Sequence, residues 1–323
     1  MSRRVPPFRR LALFAALAGL PLAPRAAEAQ RVHVLAVSGL SGEPAFKALF
    51  ESTVATLVDS ARARWHVSDS SLFVLTEDPT TTRLHATGRS TKEEIAKSFV
   101  ALSRRVSPGD IVFVFLVGHG SGEGAESRVS LPGPDATAAD FAGWLAGFSR
   151  ETVVLVNAAS GSGDFVGVLA GPRRVIVTAT RTALERNESR FATPFVRGLT
   201  SGEADADKDG KVSVLEAFAY AKKEVARVYD TDNKMLTEHA SLSDSALARS
   251  VGFRAQRGES APLNPRAAAL VAERSELEAK VVVLRGKKDA MPAAAYEAEL
   301  ERLLVQVAEK SQAIRALGPG GGQ

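Results

Sequence analysis

Short apolar segments alternate with longer amphipathic segments between residues 31 and 180, and this alternation constrains the fold more than any other feature. The segment Asp110–Gly122 contains seven consecutive apolar residues, Ile111–Val117, and ends in glycines. A continuous apolar run of this length is typical of a strand that is buried on both faces. Residues 43–65 instead place apolar side chains at helical spacing. We therefore predict an α/β fold with a mostly parallel sheet between two layers of helices.

The same alternation predicts five strands and three helices before residue 181. The strands lie within residues 31–39, 71–77, 110–122, 153–165 and 173–180, and the helices span residues 43–65, 90–106 and 137–148. Ser90 and Thr91 are each followed three residues later by a Glu, which is the capping-box signature of a helix start. Binding sites in parallel sheets form beyond the carboxyl ends of the strands. We expect a site there, because the sequences GHGSG, NAASGSGD and TATRT follow three of the strands.

The C-terminal segment has the pattern of a helical hairpin. Leu270, Leu277 and Leu284 are seven residues apart, and a second apolar stripe at helical spacing follows them. This spacing predicts two helices within residues 256–317 that form a short antiparallel coiled coil. The hairpin would pack on the α/β domain of residues 30–255, pair two chains into a homo-oligomer, or bind a partner.

Both ends of the chain are predicted to lie outside the folded part. Residues 1–29 have the pattern of a secretory signal peptide, with arginines, an apolar run and the small residues Ala27 and Ala29 at a cleavage site. The apolar run is shorter than the ~20 residues that span a bilayer, so we expect cleavage and no membrane span afterwards. The mature protein would be exported, either to the periplasm or as a secreted protein. The last residues, 318–323, are predicted to be a disordered tail.

Charge and cysteine content exclude several classes of function. Residues 1–29 hold five of the 41 basic and one of the 37 acidic side chains, so 36 of each remain after cleavage. This balance gives no support to a nucleic-acid partner, which would need a basic surface. The chain has no cysteine. A thiol nucleophile, a thiolate metal site and disulfides are therefore excluded.

His119 is the first candidate for a chemical role. It follows a predicted buried strand and lies between Gly118 and Gly120. Glycines at this point let a substrate approach the backbone and leave the Gly120 N–H free to point at it. A general base beside an oxyanion donor has this arrangement.

Two segments carry a family resemblance. FLVGHGSG resembles the His-Gly motif of the legumain (peptidase C13) and caspase clan of cysteine peptidases, and VVLVNAASGSGDF resembles the strand that bears their nucleophile. The order of the two segments also agrees with that clan. The resemblance covers roughly residues 31–242. It implies a three-layer sandwich of the caspase and legumain type, with the active site at the carboxyl edge of the sheet.

The resemblance implies roles for individual residues. His119 matches the catalytic histidine and Gly120 the oxyanion-hole glycine. Ala159 matches the nucleophilic cysteine, although an alignment on the following Ser-Gly pair would place it at Ala158. Asn157 matches the acidic residue that precedes the usual Ala-Cys. Because alanine cannot attack a carbonyl and the chain has no cysteine, a cysteine-peptidase mechanism is excluded.

Three functions stay open at this stage. The first is a pseudopeptidase, a non-catalytic module that binds a peptide or protein. The second is a hydrolase in which His119 activates Ser160 or Ser162, although neither serine lies in a G-x-S-x-G elbow. The third is a scaffold assembled through the C-terminal hairpin.

An acidic segment has the spacing of a calcium loop. The sequence DADKDGKVSVLE matches the twelve-residue EF-hand pattern, with Gly210 at the sharp bend. The predicted ligands are Asp205, Asp207, Asp209, Lys211 through its carbonyl, Ser213 and Glu216. We expect weak, structural Ca²⁺ binding. The alternative is a solvated turn in which Ser213 and Glu216 form a capping box, and both interpretations can hold together.

The segment between these two candidate sites is rich in charge. Arg181, Glu185, Arg186 and Arg190 would line the substrate cleft, as the resemblance implies, or belong to a solvated loop. The histidines other than His119 are expected to be structural.

Overall fold

A computed structural model describes residues 30–80, 84–254, 265–285 and 291–317. The predicted signal peptide, residues 1–29, lies outside the described residues. So do the predicted tail and the predicted domain boundary near residue 256.

The described residues form strands β1 Val32–Ser38, β2 Leu72–Thr76, β3 Gly88–Arg89, β4 Ile111–Val117, β5 Gly120–Ser121, β6 Arg128–Val129, β7 Ala136–Thr137, β8 Thr152–Asn157, β9 Arg174–Thr178, β10 Lys211–Ser213, β11 Ser241–Leu242 and β12 Gly252–Arg254. Seven of them form the central sheet, in the order β11-β9-β8-β4-β1-β2-β3. Neighbouring strands are parallel except for β11, which runs antiparallel to β9. The apolar runs at the centre of the sheet are buried on both faces, as their sequence predicted.

Helices cover both faces of this sheet. They are α1 Pro44–Ala63, α2 Lys92–Ser103, α3 Ala138–Leu145, α4 Phe165–Leu169, α5 Ala192–Ser201, α6 Val214–Thr231, α7 Ser245–Ser250, α8 Pro265–Arg285 and α9 Ala293–Ala316. Alternate residues of β4 separate two apolar cores: Phe113 and Phe115 pack with α1, α5, α6 and α7, whereas Val112 and Val114 pack with α2, α3 and α4. The predicted three-layer α/β arrangement is confirmed.

Local sequence signals account for several helix starts. Of the two possible caps before α2, it is Thr91 whose hydroxyl accepts the N–H of Glu94, at 3.3 Å. At the start of α3, Thr137 and Asp140 cap each other's backbone N–H groups at 3.2 and 2.8 Å. The helix predicted over 137–148 therefore begins one residue later, because Thr137 serves as its cap.

Two small sheets were not predicted. Strands β5, β6 and β7 form an antiparallel sheet directly after His119. Strand β10 pairs with β12 in antiparallel fashion. Each of these strands has only two or three residues, which is too short for a side-chain period to show in the sequence.

Helices α8 and α9 form the predicted hairpin. Lys310 in α9 pairs with Glu273 in α8 at 2.5 Å, and Leu303 packs with Val281 and Leu284 farther along α8, so the two helices are antiparallel. These apolar residues form a cluster separate from the two cores of the domain. Across the described part of the chain, no helix is both long and apolar enough to cross a bilayer.

Candidate functional site

The two segments that carry the family resemblance lie side by side. Strands β4 and β8 are parallel neighbours, with Leu116 opposite Asn157, so His119 and Ala159 both leave the same edge of the sheet. The two turns touch: a Cβ placed on Gly120 would lie 3.5 Å from the Cβ of Ala159. The same Cβ would lie only 2.5 Å from the Ser160 carbonyl oxygen. Glycine is thus required at residue 120 by the close approach of the second turn.

The Gly120 N–H is already engaged. It donates to the Ser160 hydroxyl oxygen at 3.3 Å. Ser160 is 4% exposed, so its hydroxyl is not displaced by solvent. The resemblance implies that the Gly120 N–H would bind a substrate oxyanion. In this structure the same N–H is instead hydrogen-bonded to a serine of the protein itself.

The His119 ring contacts residues that follow β1. Its Nε2 donates to the carbonyl oxygen of Ser41 at 3.1 Å, since a carbonyl can only accept. The ring packs edge-on against Phe46 and Phe50, with centroid distances of 4.9 and 5.5 Å. Among the described residues, His119 makes no hydrogen bond to the hydroxyl of Ser160 or Ser162. The His–Ser pair that a hydrolase would require is not assembled.

Ser162 holds the turn to the end of β9. Its hydroxyl accepts the N–H of Ala179 at 3.2 Å and lies 3.3 Å from the hydroxyl of Thr180. Asn157 has a similar local role, because its side-chain oxygen accepts the N–H of Ala159 at 3.1 Å. These contacts shape the turn, whereas the side-chain nitrogen of Asn157 is buried and has no hydrogen-bond partner among the described residues.

The turn after β8 is closed over by the segment that follows β9. Residues 158–163 are all buried, including both alanines to which the cysteine position can be aligned. The Gly161 N–H donates to the Glu185 carbonyl at 2.9 Å. A Cβ on Gly163 would lie 2.2 Å from the Arg181 carbonyl carbon, so backbone packs directly on backbone.

The charged residues of this covering segment, residues 181–190, mostly hold it in place. The Glu185 carboxylate accepts the N–H and Nδ1 of His239, at 2.9 and 3.0 Å. Arg190 pairs with Asp232 at 2.8 Å. These contacts pin the segment to the chain after α6.

Glu238 fixes the end of the same segment. Its buried carboxylate accepts the N–H groups of Arg190 and Phe191, at 2.9 and 3.0 Å, and the Ser189 hydroxyl at 2.7 Å. Burial raises the pKa of Glu238, and these hydrogen bonds offset only part of that effect. Arg181 and Arg186 remain exposed to solvent.

The acidic segment lies in a helix–loop–helix unit, as its sequence predicted. Helices α5 and α6 flank it, and both contribute residues to the same apolar core. Gly202 ends α5 in a left-handed conformation, with φ of 83°, and Gly210 has the same φ at the sharp bend. Strand β10, within the C-terminal half of the acidic segment, pairs with β12.

The donor set suits a hard divalent cation. One carboxylate oxygen from each of Asp205, Asp207 and Asp209 lies within 4.8 Å of the other two. Two ligands at 2.3–2.6 Å on opposite sides of one Ca²⁺ are separated by about this distance. Glu216 closes the loop, because its carboxylate accepts the Ala206 N–H at 3.1 Å while it also forms the predicted capping box with Ser213. Of the predicted side-chain ligands, the three aspartates are brought together, whereas Ser213 and Glu216 bond to each other in the capping box.

These carboxylates repel one another in a partly buried place. Burial, followed by the charges of Asp209 and Asp207, raises the pKa of Asp205 to about 6, although the Gly210 N–H opposes the shift. Burial and the charge of Asp207 also raise the pKa of Asp209. A bound cation would relieve this repulsion.

One residue of the site has no signal in the sequence. Arg274 of α8 forms ion pairs with Asp207 and Asp209, and its side chain is only 3% exposed. It lies in the helical hairpin, 67 residues after Asp207. An arginine in an amphipathic helix is normally solvated, so nothing local distinguishes this one.

Comparison with models of known protein families gave no match, and comparison with curated protein sequences gave no significant match.

Proposed function

We propose that this protein is an exported pseudopeptidase of the legumain and caspase type, which binds a peptide or protein without cleaving it and holds Ca²⁺ in its acidic loop. The hydrogen bond from the Gly120 N–H to the Ser160 hydroxyl carries the proposal. A peptidase needs that N–H for the developing oxyanion. Ala159 supplies no nucleophile, and His119 is bonded to the Ser41 carbonyl instead of a serine.

The same edge of the sheet offers apolar side chains to a partner. Leu40 follows β1 and is 43% exposed, and Leu184 follows β9 and is 79% exposed. Both strands are parallel and end at this edge, and the turns after β4 and β8 lie between them. We take these two side chains as the apolar contacts of the proposed binding surface.

Absence of catalysis is tested with a fluorophosphonate probe, which labels activated serines. We expect no labelling of the wild-type protein. Labelling that disappears in both Ser160→Ala and His119→Ala would show that the pair is active and would overturn the pseudopeptidase proposal.

Binding is tested by fluorescence anisotropy with a library of fluorescein-labelled hexapeptides. We expect members of the library to bind, and Leu184→Asp to weaken their binding about tenfold through loss of buried apolar area and a desolvated charge. The matched control is Val100→Asp. Val100 is 50% exposed near the end of α2, which leads into the start of β4 at the opposite edge. Equal effects of the two substitutions would exclude this edge as the binding surface.

Calcium binding is tested by isothermal titration calorimetry. We expect a dissociation constant of roughly 10⁻⁴–10⁻³ M, in the range of extracellular calcium modules. Asp209→Asn should abolish the heat, whereas Asp59→Asn on the exposed face of α1 should leave it unchanged.

Export is tested separately by N-terminal sequencing of the mature protein, which should begin at Gln30.

Exposed apolar residues on the hairpin favour a second function, assembly of several copies. Val283, Leu304 and Val305 are 58%, 44% and 50% exposed. Sedimentation velocity of the wild-type protein and of Val305→Asp would test this. A monomer at all concentrations would exclude it.

A further inference from the structure

Arg274 is a buried cation aimed into the acidic loop from another part of the fold. Its two terminal guanidinium nitrogens form ion pairs with Asp207 and Asp209. Its Nε lies 3.4 Å from a carboxylate oxygen of Glu278, one turn along α8, and has no hydrogen-bond partner among the described residues. A fully charged side chain that is 3% exposed is stable only where anions replace its hydration.

The loop holds more negative charge than Arg274 neutralises. Arg274 pairs with Asp207, Asp209 and Glu278. Asp205 places a carboxylate oxygen within 4.8 Å of one from each of the two aspartates, and Glu216 closes the same loop. Among the described residues, the donors to the Asp205 carboxylate are the backbone N–H groups of Asp209 and Gly210, at 3.2 and 3.0 Å. A divalent cation would supply twice the charge of the guanidinium to the same oxygens.

The guanidinium and a metal ion would compete for these oxygens. Asp207 and Asp209 stand at loop positions 3 and 5, both of which supply ligands in the EF-hand pattern. The carboxylate oxygens that contact Arg274 would have to turn toward the metal. The positive charges of the guanidinium and of a metal ion bound to the same carboxylates would also repel each other.

Polar contacts join the hairpin to the acidic loop. Its apolar residues pack on one another in a cluster that is separate from the two cores of the domain, as far as the described residues extend. The Arg274 ion pairs tie α8 to the acidic loop of the domain.

We propose that Arg274 is a tethered competitor of the divalent cation, and that Ca²⁺ entering the loop expels Arg274 and releases the C-terminal hairpin from the α/β domain. The inference rests on the calcium loop of the proposed function and adds its regulation. Because coupling between two sites is reciprocal, docking of the hairpin lowers Ca²⁺ affinity by the same factor by which Ca²⁺ weakens docking.

The absence of cysteine permits a direct test. Lys223→Cys on α6 and Glu297→Cys on α9 place spin labels at two exposed positions, one on the domain and one on the hairpin. Pulsed electron resonance should then report longer and broader label distances when Ca²⁺ is added to the labelled protein. This measurement needs no change at Arg274, so it stands even if variants at that residue fold poorly.

Calorimetry with Ca²⁺ supplies the second arm of the test. Arg274→Gln should bind Ca²⁺ about tenfold more tightly than the wild type, and its label distances should be long without Ca²⁺. Lys280→Gln, an exposed change on the same helix, should behave as the wild type.

The failures are distinguishable. If Ca²⁺ binds but neither the label distances nor the affinity of Arg274→Gln changes, the competition is refuted and the calcium site stands. If neither the wild type nor Arg274→Gln gives Ca²⁺ heat, the calcium part of the proposed function fails, and this inference fails with it.

Discussion

Replacing Gly163 by alanine should force the covering segment off the turn after β8. A Cβ at this position would lie 2.2 Å from the Arg181 carbonyl carbon and 2.3 Å from the Thr182 nitrogen. Ordinary contact begins near 3.4 Å, so the backbone of the covering segment must move by about 1.2 Å. Both contacts are to main-chain atoms, which cannot yield by a rotamer change. We expect Gly163→Ala to lower the free energy of unfolding by about 2–3 kcal/mol, at the upper end of the range for overpacking.

Urea unfolding measures this loss, and hydrogen exchange locates it. The Gly161 N–H, which donates to the Glu185 carbonyl, should exchange faster when the segment moves. The matched control is Gly167→Ala in α4, where a Cβ meets nothing within 4 Å. That change should stabilise the protein by about 0.5–1 kcal/mol, because alanine loses less entropy than glycine in a helix. If Gly163→Ala unfolds within about 0.5 kcal/mol of the wild type and the Gly161 exchange rate is unchanged, the closed turn is not the solution structure.

Three further substitutions test other parts of the structure. Burial alone would raise the pKa of Asp110, but hydrogen bonds from backbone N–H groups and from His33 hold it below its usual value of 3.8. Asp110→Asn removes the charge that these hydrogen bonds stabilise and should cost about 1.5–3 kcal/mol at neutral pH. In acid titrations this deficit should shrink as the pH falls through the lowered pKa, because the wild type then loses the same contribution. A deficit that is constant with pH would contradict this. Ser160→Ala leaves the Gly120 N–H without its acceptor and should cost about 1 kcal/mol in urea unfolding, whereas no loss would mean that this hydrogen bond contributes nothing. Leu303→Ala should cost about 2–4 kcal/mol of local hairpin stability, seen as faster hydrogen exchange in α8 and α9 but not in the central strands; equal acceleration in both would show that hairpin and domain unfold together.

Much of the architecture follows from patterns that are local in the sequence. The apolar run of β4 and the apolar stripe of α1 each predict which face of the element is buried. A buried strand or helix face must be apolar at the side-chain period of that element. The seven-residue spacing of Leu277 and Leu284 predicts the hairpin for the same reason. The acidic loop is also local, since its predicted ligands lie within the twelve residues from Asp205 to Glu216.

The candidate site at the sheet edge was predictable only in part. Parallel neighbours end at the same edge, so the sequence could place His119 beside Ala159 once both strands were recognised. It could not show the direction of the His119 ring, because the Ser41 carbonyl and the Phe46 ring come from the segment after β1. A side chain's partner is set by rotamer and packing, and neither has a period that the sequence displays.

The sequence alone therefore determined the order of the longer strands and helices, the absence of thiol chemistry and the acidic character of the loop. Only the tertiary structure decided that Ser160 accepts the Gly120 N–H, that backbone near Glu185 closes the turn, and that Arg274 enters the loop. Each of these contacts joins residues at least 24 positions apart. They form because folding brings distant polar groups together in places where water cannot satisfy them. That pairing depends on three-dimensional position, so no repeating pattern in the sequence predicts it.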